Sequence, residues 1–271
     1  MENIINPIYL NPETVKKLNE AYESGDPCKH IVLDNFLRPE VAELLYNNFP
    51  KLSTLNVKRK SLNEKKSEDY HFERFHPIFQ EVKNAITGAD YCKVMGEMTS
   101  LEDLFVTTDN TGAGVHQGGD GSYVDVHIDY NMSTKFNAWR RLNLLVYLNK
   151  DWKDEYGGAL ELWDKDMTEC RKMILPNFNR AVVFYTDKNA PHGYRKMALP
   201  EDVTRKSFYC YYYTQVAEGM EYYDSTFVSR PDESFIKRTL TKVKETAKVT
   251  IKSLLFKVGI TSLDFQDKNK K

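Results

Sequence analysis

Val124-Asp125-Val126-His127-Ile128-Asp129-Tyr130 places an imidazole and a carboxylate two residues apart in an alternating stretch. On a β-strand, alternate side chains share a face, so His127 and Asp129 would project side by side. Further along, Ala190-Pro191-His192-Gly193-Tyr194 supplies a second histidine. Thr204-Arg205-Lys206-Ser207-Phe208-Tyr209 then puts Arg205 and Ser207 on one strand face and Lys206 on the other. Two histidines and one carboxylate brought together hold non-haem Fe(II) by one side and leave positions open for reactants. With 6 histidines and 39 acidic residues in the chain, a His-x-Asp pair alone is a weak signal. The weight comes from His192 and from the strand carrying Arg205 and Ser207.

Working outward, the segments 104–106, 123–128, 142–148, 159–163, 171–175, 181–185 and 206–213 are short, apolar and regularly spaced between turn residues. That pattern predicts a sandwich or barrel, and a jelly roll is the natural form. The N-terminal third reads differently. Asn11-Pro12-Glu13 is a helix start, with Val15, Leu18 and Tyr22 at helical spacing and Gly25 as a stop. A strand is predicted over 29–34. Further helices open at Pro39 and at Pro77, the latter stopping at Gly88, and another runs through Met95 and Met98. The expected fold is mainly β with flanking helices (α+β). A double-stranded β-helix core over about 100–216 carries the N-terminal helices on one sheet. Residues 1–230 form the expected domain, and 231–271 a basic amphipathic helical extension.

Composition sets bounds. A chain of 271 residues with 41% hydrophobic and 28% charged residues can bury a substantial core. A formal net charge of −1 offers no global field for nucleic acid. Cys28, Cys92, Cys170 and Cys210 show no paired spacing, which suits reduced thiols and a cytoplasmic location. The N-terminus lacks a signal-peptide pattern, and no apolar run is long enough to span a membrane.

The segment Arg140-Arg141-Leu142-Asn143-Leu144-Leu145-Val146-Tyr147-Leu148-Asn149, followed by Trp152, Gly157-Gly158 and Leu160-Glu161-Leu162-Trp163, gives the pattern a family. The chain resembles the Fe(II)- and 2-oxoglutarate-dependent dioxygenases, in the branch of prolyl 4-hydroxylase-like enzymes, over residues 26–214. The resemblance implies that His127, Asp129 and His192 hold iron. It implies that Arg205 pairs with the far carboxylate of 2-oxoglutarate and that Ser207 hydrogen-bonds to it. Collagen-type members place a lysine where Arg205 stands here. Asn143, Tyr147 and Tyr209 become candidate donors to the co-substrate, each with the alternative of an ordinary core residue. The implied reaction consumes O2 and 2-oxoglutarate, yields succinate and CO2, and hydroxylates an unactivated C–H bond, with ascorbate as a candidate reductant. Halogenases of the superfamily carry glycine or alanine where Asp129 stands, so the carboxylate argues for hydroxylation.

Several features stay open at this level. Tyr130, Asn131, Trp139 and Arg140 follow the ligand pair and are candidates for the substrate mouth; Arg140 and Arg141 read equally as a surface charge and a structural ion pair. The glycine-rich segment 112–121 reads as an active-site lid, with His116 in it as a candidate substrate contact. The charged segment 58–69 reads as an exposed loop. The helix expected over 235–260 has Phe235, Leu240, Val243, Ala247, Ile251, Leu254 and Leu255 towards one side, with Lys237, Arg238, Lys242, Lys244, Lys248, Lys252 and Lys257 making it basic. Its apolar stripe is expected on the barrel or a second subunit, with an anionic membrane surface as the other reading. Residues 267–271 are expected to fray. Three functions therefore compete: a hydroxylase of a prolyl, peptide or amino-acid substrate, or of another small metabolite or sugar-linked intermediate; a non-catalytic jelly-roll module holding a metal; and a docking protein built around the basic helix.

Overall fold

The computed structural model describes residues 1–108, 112–133, 135–220 and 222–257, with 252–257 described by backbone alone. Helix α1 (Pro12–Glu23) begins where the Asn11 side chain accepts the N–H groups of Glu13 and Thr14, as an N-cap should. α2 (Pro39–Asn47), α3 (Pro77–Thr87) and α4 (Ala89–Thr99) follow; α2 and α3 each open on a proline, which suits the first helical turn because its missing N–H is not needed there. The strands are β1 (His30–Asp34), β2 (Val57–Lys60), β3 (Glu64–Asp69), β4 (Ala113–Gly118), β5 (Tyr123–Ile128), β6 (Met132–Ser133) and β7 (Ala138–Tyr147). They continue with β8 (Leu160–Trp163), β9 (Cys170–Ile174), β10 (Arg180–Tyr185), β11 (His192–Tyr194), β12 (Arg205–Gln215) and β13 (Thr226–Phe227), and α5 (Phe235–Lys257) closes the described chain.

The strands pair antiparallel in the order β1-β10-β7-β12-β4-β3-β5-β11-β8-β9. The sheet folds back on itself at β3, which pairs with both β4 and β5. Contacts across the fold prove the closure. Phe184 of β10 meets the His192 ring of β11 edge-on at 4.8 Å, and Arg205 of β12 lies 4.3 Å from the Tyr194 ring of β11. This is the expected double-stranded β-helix.

Alternation decides which side chains enter it. On β7 and β12, Leu142, Leu144, Val146, Phe208, Cys210 and Tyr212 turn outward and bury against the helical layer. Their neighbours Asn143, Tyr147, Arg205, Ser207 and Tyr209 turn inward and are also buried. Both faces of this half are thus buried, one lined by hydrocarbon and the other by polar groups.

Four expectations need correction. Segment 112–121 is largely strand β4, in the middle of the sheet, and not a lid. Gly114 explains its composition: a Cβ there would stand 2.5 Å from the Tyr209 hydroxyl, so the strand has given up side chains to make room for a ring. Segment 58–69 is mostly the hairpin β2–β3, with Ser67, Glu68 and Asp69 buried. Residues 104–106 contribute only the bridge of Phe105 to Tyr213. Finally, α5 turns its apolar stripe outward and packs on the barrel by its polar side. The side chains of Lys252, Leu254, Leu255 and Lys257, and residues 258–260 and 267–271, lie outside the described residues.

Candidate metal and co-substrate site

β5 and β11 are neighbours, and their register sets His127 directly opposite His192. Asp129 follows two residues beyond His127. Ligand-capable atoms of the three lie within 4.8 Å of one another. His127 Nε2 is 3.6 Å from Asp129 Oδ1, and His192 Nε2 is 3.4 Å from Asp129 Oδ2. Each imidazole is aimed by its other nitrogen: Nδ1 of His127 sits 3.0 Å from the Asp125 carbonyl, and Nδ1 of His192 sits 3.0 Å from the Ala190 carbonyl. A carbonyl can only accept, so each Nδ1 carries a proton, and Nε2, turned to the shared space, is the nitrogen available to a metal. Two imidazole nitrogens and one carboxylate oxygen, gathered at one point, fit an Fe(II) ion.

The carboxylate is aimed too. Asn143 donates to Asp129 Oδ2 at 2.9 Å, and Arg140 Nη2 lies 2.9 Å from the same oxygen. Arg140 also donates to Asn143 Oδ1 from Nε at 3.0 Å and Nη2 at 2.6 Å, which fixes the amide orientation. The Arg140 guanidinium lies 3.6 Å from the Tyr211 ring centroid and 4.8 Å from that of Tyr130. Burial alone would push the Asp129 carboxyl up; Arg140, with the two histidines, holds it well below the usual carboxylate range. Burial, then the neighbouring His192, lowers the His127 pKa to about 3, so that ring is neutral in the metal-free protein.

A second cluster lies on the inner face of β12. Ser207 stands opposite Tyr147 of β7 on one side and His116 of β4 on the other. Arg205 is 6% exposed. Its Nε donates to the Gly158 carbonyl at 2.8 Å and its Nη2 to the Tyr147 hydroxyl at 3.2 Å. Among the described residues no carboxylate pairs with it. A buried guanidinium whose protein partners are both neutral is a ready site for an anion, since its fork matches a carboxylate. Gly158 is required here: its φ of +71° suits glycine, and a Cβ would stand 2.6 Å from Met197 Sδ and 3.2 Å from Arg205 Cδ.

The other named candidates distribute as follows. Tyr147 joins Arg205, whereas Asn143 joins the Asp129 carboxylate. Tyr209 stacks on His116 at 4.3 Å and on Tyr211 at 5.0 Å. His116 Nε2 lies 3.1 Å from Glu68 Oε2, on the strand face that Ser207 shares. Tyr130 bonds to the Tyr213 hydroxyl at 3.2 Å. Asn131 is a buried brace that accepts the Tyr223 N–H on its side chain and the Arg140 N–H on its carbonyl. Trp139 lies outside, under the Arg141 guanidinium at 3.8 Å. Arg140 is a buried partner of Asp129, not part of a mouth.

Sequence alternation misplaces Arg140 because β7 carries a bulge. Tyr212 pairs with Leu142 and Tyr213 with Arg140, so Arg141 is the extra residue. One inserted residue reverses the parity beyond it and turns Arg140 inward beside Asn143. No local signal announces that bulge.

Residues 113–213 match the 2OG-Fe(II) oxygenase superfamily. A prolyl hydroxylase from Trichoplax adhaerens, solved with a hypoxia inducible factor oxygen degradation domain peptide fragment, has TM-score 0.51 and 19% identity over 74% of this chain and 91% of its own. A prolyl-4-hydroxylase from Pseudomonas putida has TM-score 0.52 and 13% identity over 73% of this chain and 99% of its own. HygX from Streptomyces hygroscopicus, with nickel and 2-oxoglutarate bound, has TM-score 0.51 and 10% identity over 77% and 96%. At these identities the likeness is one of fold. No curated protein matches the chain. The segment that carries His127, Asp129, His192 and Arg205 is thus the one that matches the superfamily, and the match and the fold together support a 2-oxoglutarate-dependent non-haem iron oxygenase.

Proposed function

We propose that this protein hydroxylates an unactivated C–H bond of a prolyl, peptide or amino-acid substrate, using Fe(II), 2-oxoglutarate and O2. The observation that carries this reading is the His127–Asp129–His192 cluster in the same barrel as a buried Arg205 that, among the described residues, pairs with no carboxylate. His127, Asp129 and His192 would hold the iron, and Arg205, Tyr147 and Ser207 the far carboxylate of 2-oxoglutarate. Tyr209 and His116 line the same inner face. The bound metal and co-substrate supply the oxidising chemistry, with succinate and CO2 as co-products.

The residues of the chain do the rest. Arg140 and Asn143 keep the Asp129 carboxylate ionised and oriented. The carbonyls of Asp125 and Ala190 keep both imidazoles in the metal-binding tautomer. Tyr147 and Tyr194, flanking Arg205, give its charge a low-dielectric seat that strengthens its grip on an anion. The catalytic unit is taken to end near residue 230. The four free thiols support a cytoplasmic location.

The test is Fe(II)- and O2-dependent conversion of 2-oxoglutarate to succinate, with and without ascorbate, across prolyl peptides, amino acids and sugar-linked metabolites. Gain of one oxygen atom by mass spectrometry identifies the substrate. Asp129→Ala should lose both bound metal and turnover. Tight metal binding with no consumption of 2-oxoglutarate under any substrate would leave a metal-holding module in place of an enzyme.

A further inference from the structure

A cavity of about 520 Å³ opens on the outer side of the sheet, between α1, the end of α4 and the segment that follows β10. It has the size of a small-molecule site. Three charged residues border it: Lys29, Arg141 and Asp187. Lys29 is taken by Glu23. Among the described residues Arg141 and Asp187 have no ionic partner, and they do not pair with each other. Arg141 lies 3.8 Å from the Trp139 ring centroid and 5.5 Å from that of Tyr185, and it donates from Nη1 to Thr214 Oγ1 at 3.3 Å. Its Nε is buried and meets no acceptor. Asp187 accepts the backbone N–H of Asn189 at 2.7 Å and its side-chain amide at 3.0 Å.

Tyr22 gives the cavity a second unmet donor. Its side chain is wholly buried at the cavity wall, yet its hydroxyl has no partner. Burial pushes its pKa up, so the group stays a protonated donor; the nearby Arg141 charge pulls the other way but does not prevail. Buried polar groups are nearly always paired. A hydroxyl and a guanidinium nitrogen left open beside one cavity therefore call for an acceptor, and a carboxylate has oxygens for both. Asp187 supplies the opposite demand. A simple anion would answer Arg141 and leave Asp187 unmet; a simple cation would do the reverse. A molecule with a carboxylate at one end and an ammonium at the other meets both, and Leu101 and Tyr185 offer its carbon skeleton an apolar wall.

We propose that this cavity is a second ligand site, outside the barrel, for a small amino carboxylate such as a free amino acid, with its carboxylate on Arg141 and Tyr22 and its ammonium towards Asp187. The claim is independent of the oxygenase reading. The full-length chain is titrated by calorimetry with the standard free amino acids and, for each one that binds, with its deaminated and its decarboxylated counterpart. Saturable binding by at least one amino acid is expected, and each counterpart should bind more weakly. Arg141→Gln should weaken that binding at least about ten-fold. Tyr22→Phe should weaken it too, while the melting temperature of the ligand-free protein does not fall, because the hydroxyl has no bond to lose. Asp187→Asn should erase the advantage over the deaminated form. Should Arg141→Gln melt early, Tyr22→Phe alone decides. Absence of saturable binding by every amino acid overturns the proposal. So does binding that Arg141→Gln and Tyr22→Phe leave unchanged, which would put the amino acid elsewhere, as a substrate in the barrel for example. Equal affinity for the deaminated form overturns the assignment to amino carboxylates.

Discussion

Asn143 holds the Asp129 oxygen that also faces His192. Its amide donates to the carboxylate and accepts from Arg140, so the three side chains form a relay that ends on a proposed metal ligand. Asn143→Leu removes both bonds without opening a large cavity. Fe(II) affinity should fall about 10–100-fold, measured by competitive titration, while the fold survives; unchanged affinity would mean that Arg140 alone positions the carboxylate. Arg205→Ala acts at the other end of the site. It should raise the 2-oxoglutarate concentration needed for half-maximal turnover and leave Fe(II) binding intact, since Arg205 makes no contact with the three ligands; an unchanged 2-oxoglutarate requirement would remove its assigned role. The clustering of His127, Asp129 and His192 and the inward turn of Arg205 were legible because strand alternation and a family-like order of motifs both point at them. Arg140 was not, because the bulge at Arg141 is a property of paired strands and leaves no mark in one strand's alternation.

At the scale of elements, the strand pair β5–β11 is the part of the fold on which the site rests. Gly193 lets the two backbones close: a Cβ there would stand 2.7 Å from the Val124 carbonyl and 2.9 Å from the Asp125 backbone. Gly193→Ala must push β11 away from β5, moving His192 relative to His127. A loss of about 1–3 kcal/mol in stability is expected from such overpacking, together with weaker metal binding; a variant with wild-type metal affinity would show that the ligands do not depend on this close approach. β4 supplies a second case. Its glycines read as a loop, because the apolar alternation that marks a strand is missing where Gly114 yields its space to Tyr209. His116 on this strand is neutral for the same reason that it was misplaced: it is inside. Burial, and after it Lys66, lowers its pKa to about 4 against the opposing hydrogen bond to Glu68; Arg205 adds a smaller push downward. The unfolded chain carries this histidine near 6.5, so below that pH it takes up a proton the folded state refuses. Stability contributed here therefore falls as pH drops from about 6.5 to about 4, by ~1 kcal/mol per pH unit. Urea melts of metal-free protein across that window should show a steeper decline for the wild type than for His116→Gln; parallel curves would mean that the ring is not held neutral.

The whole molecule is held closed by charges that no local pattern reveals. Arg230 lies between the C-terminal segment and the barrel, with its Nε 2.8 Å from Glu161 Oε2 and its Nη1 3.2 Å from Asp125 Oδ1 and 3.3 Å from Glu233 Oε1. Asp125, Glu161 and Arg230 have side chains no more than 4% exposed. These residues sit 69 and 105 positions from Arg230 in the chain, which is why periodicity foresaw the helix α5 and its basic character but not the face it presents. Once the ion cluster claims the polar side, the apolar stripe has nowhere to go but outward. Arg230→Ala would take one cationic partner from each of two buried carboxylates. Removing one partner of a buried pair costs about 3–5 kcal/mol, and the lower end applies here. Asp125 keeps Lys237 and Asn63, while Glu161 keeps Arg195 at 2.8 Å and the Trp163 indole at 3.0 Å. The damage should also reach the metal site, because the Asp125 carbonyl is the acceptor that orients His127. A fall in thermal midpoint accompanied by weaker Fe(II) binding is the expected outcome of calorimetry and titration on this variant. A loss of stability with metal affinity intact would confine the cluster to anchoring α5.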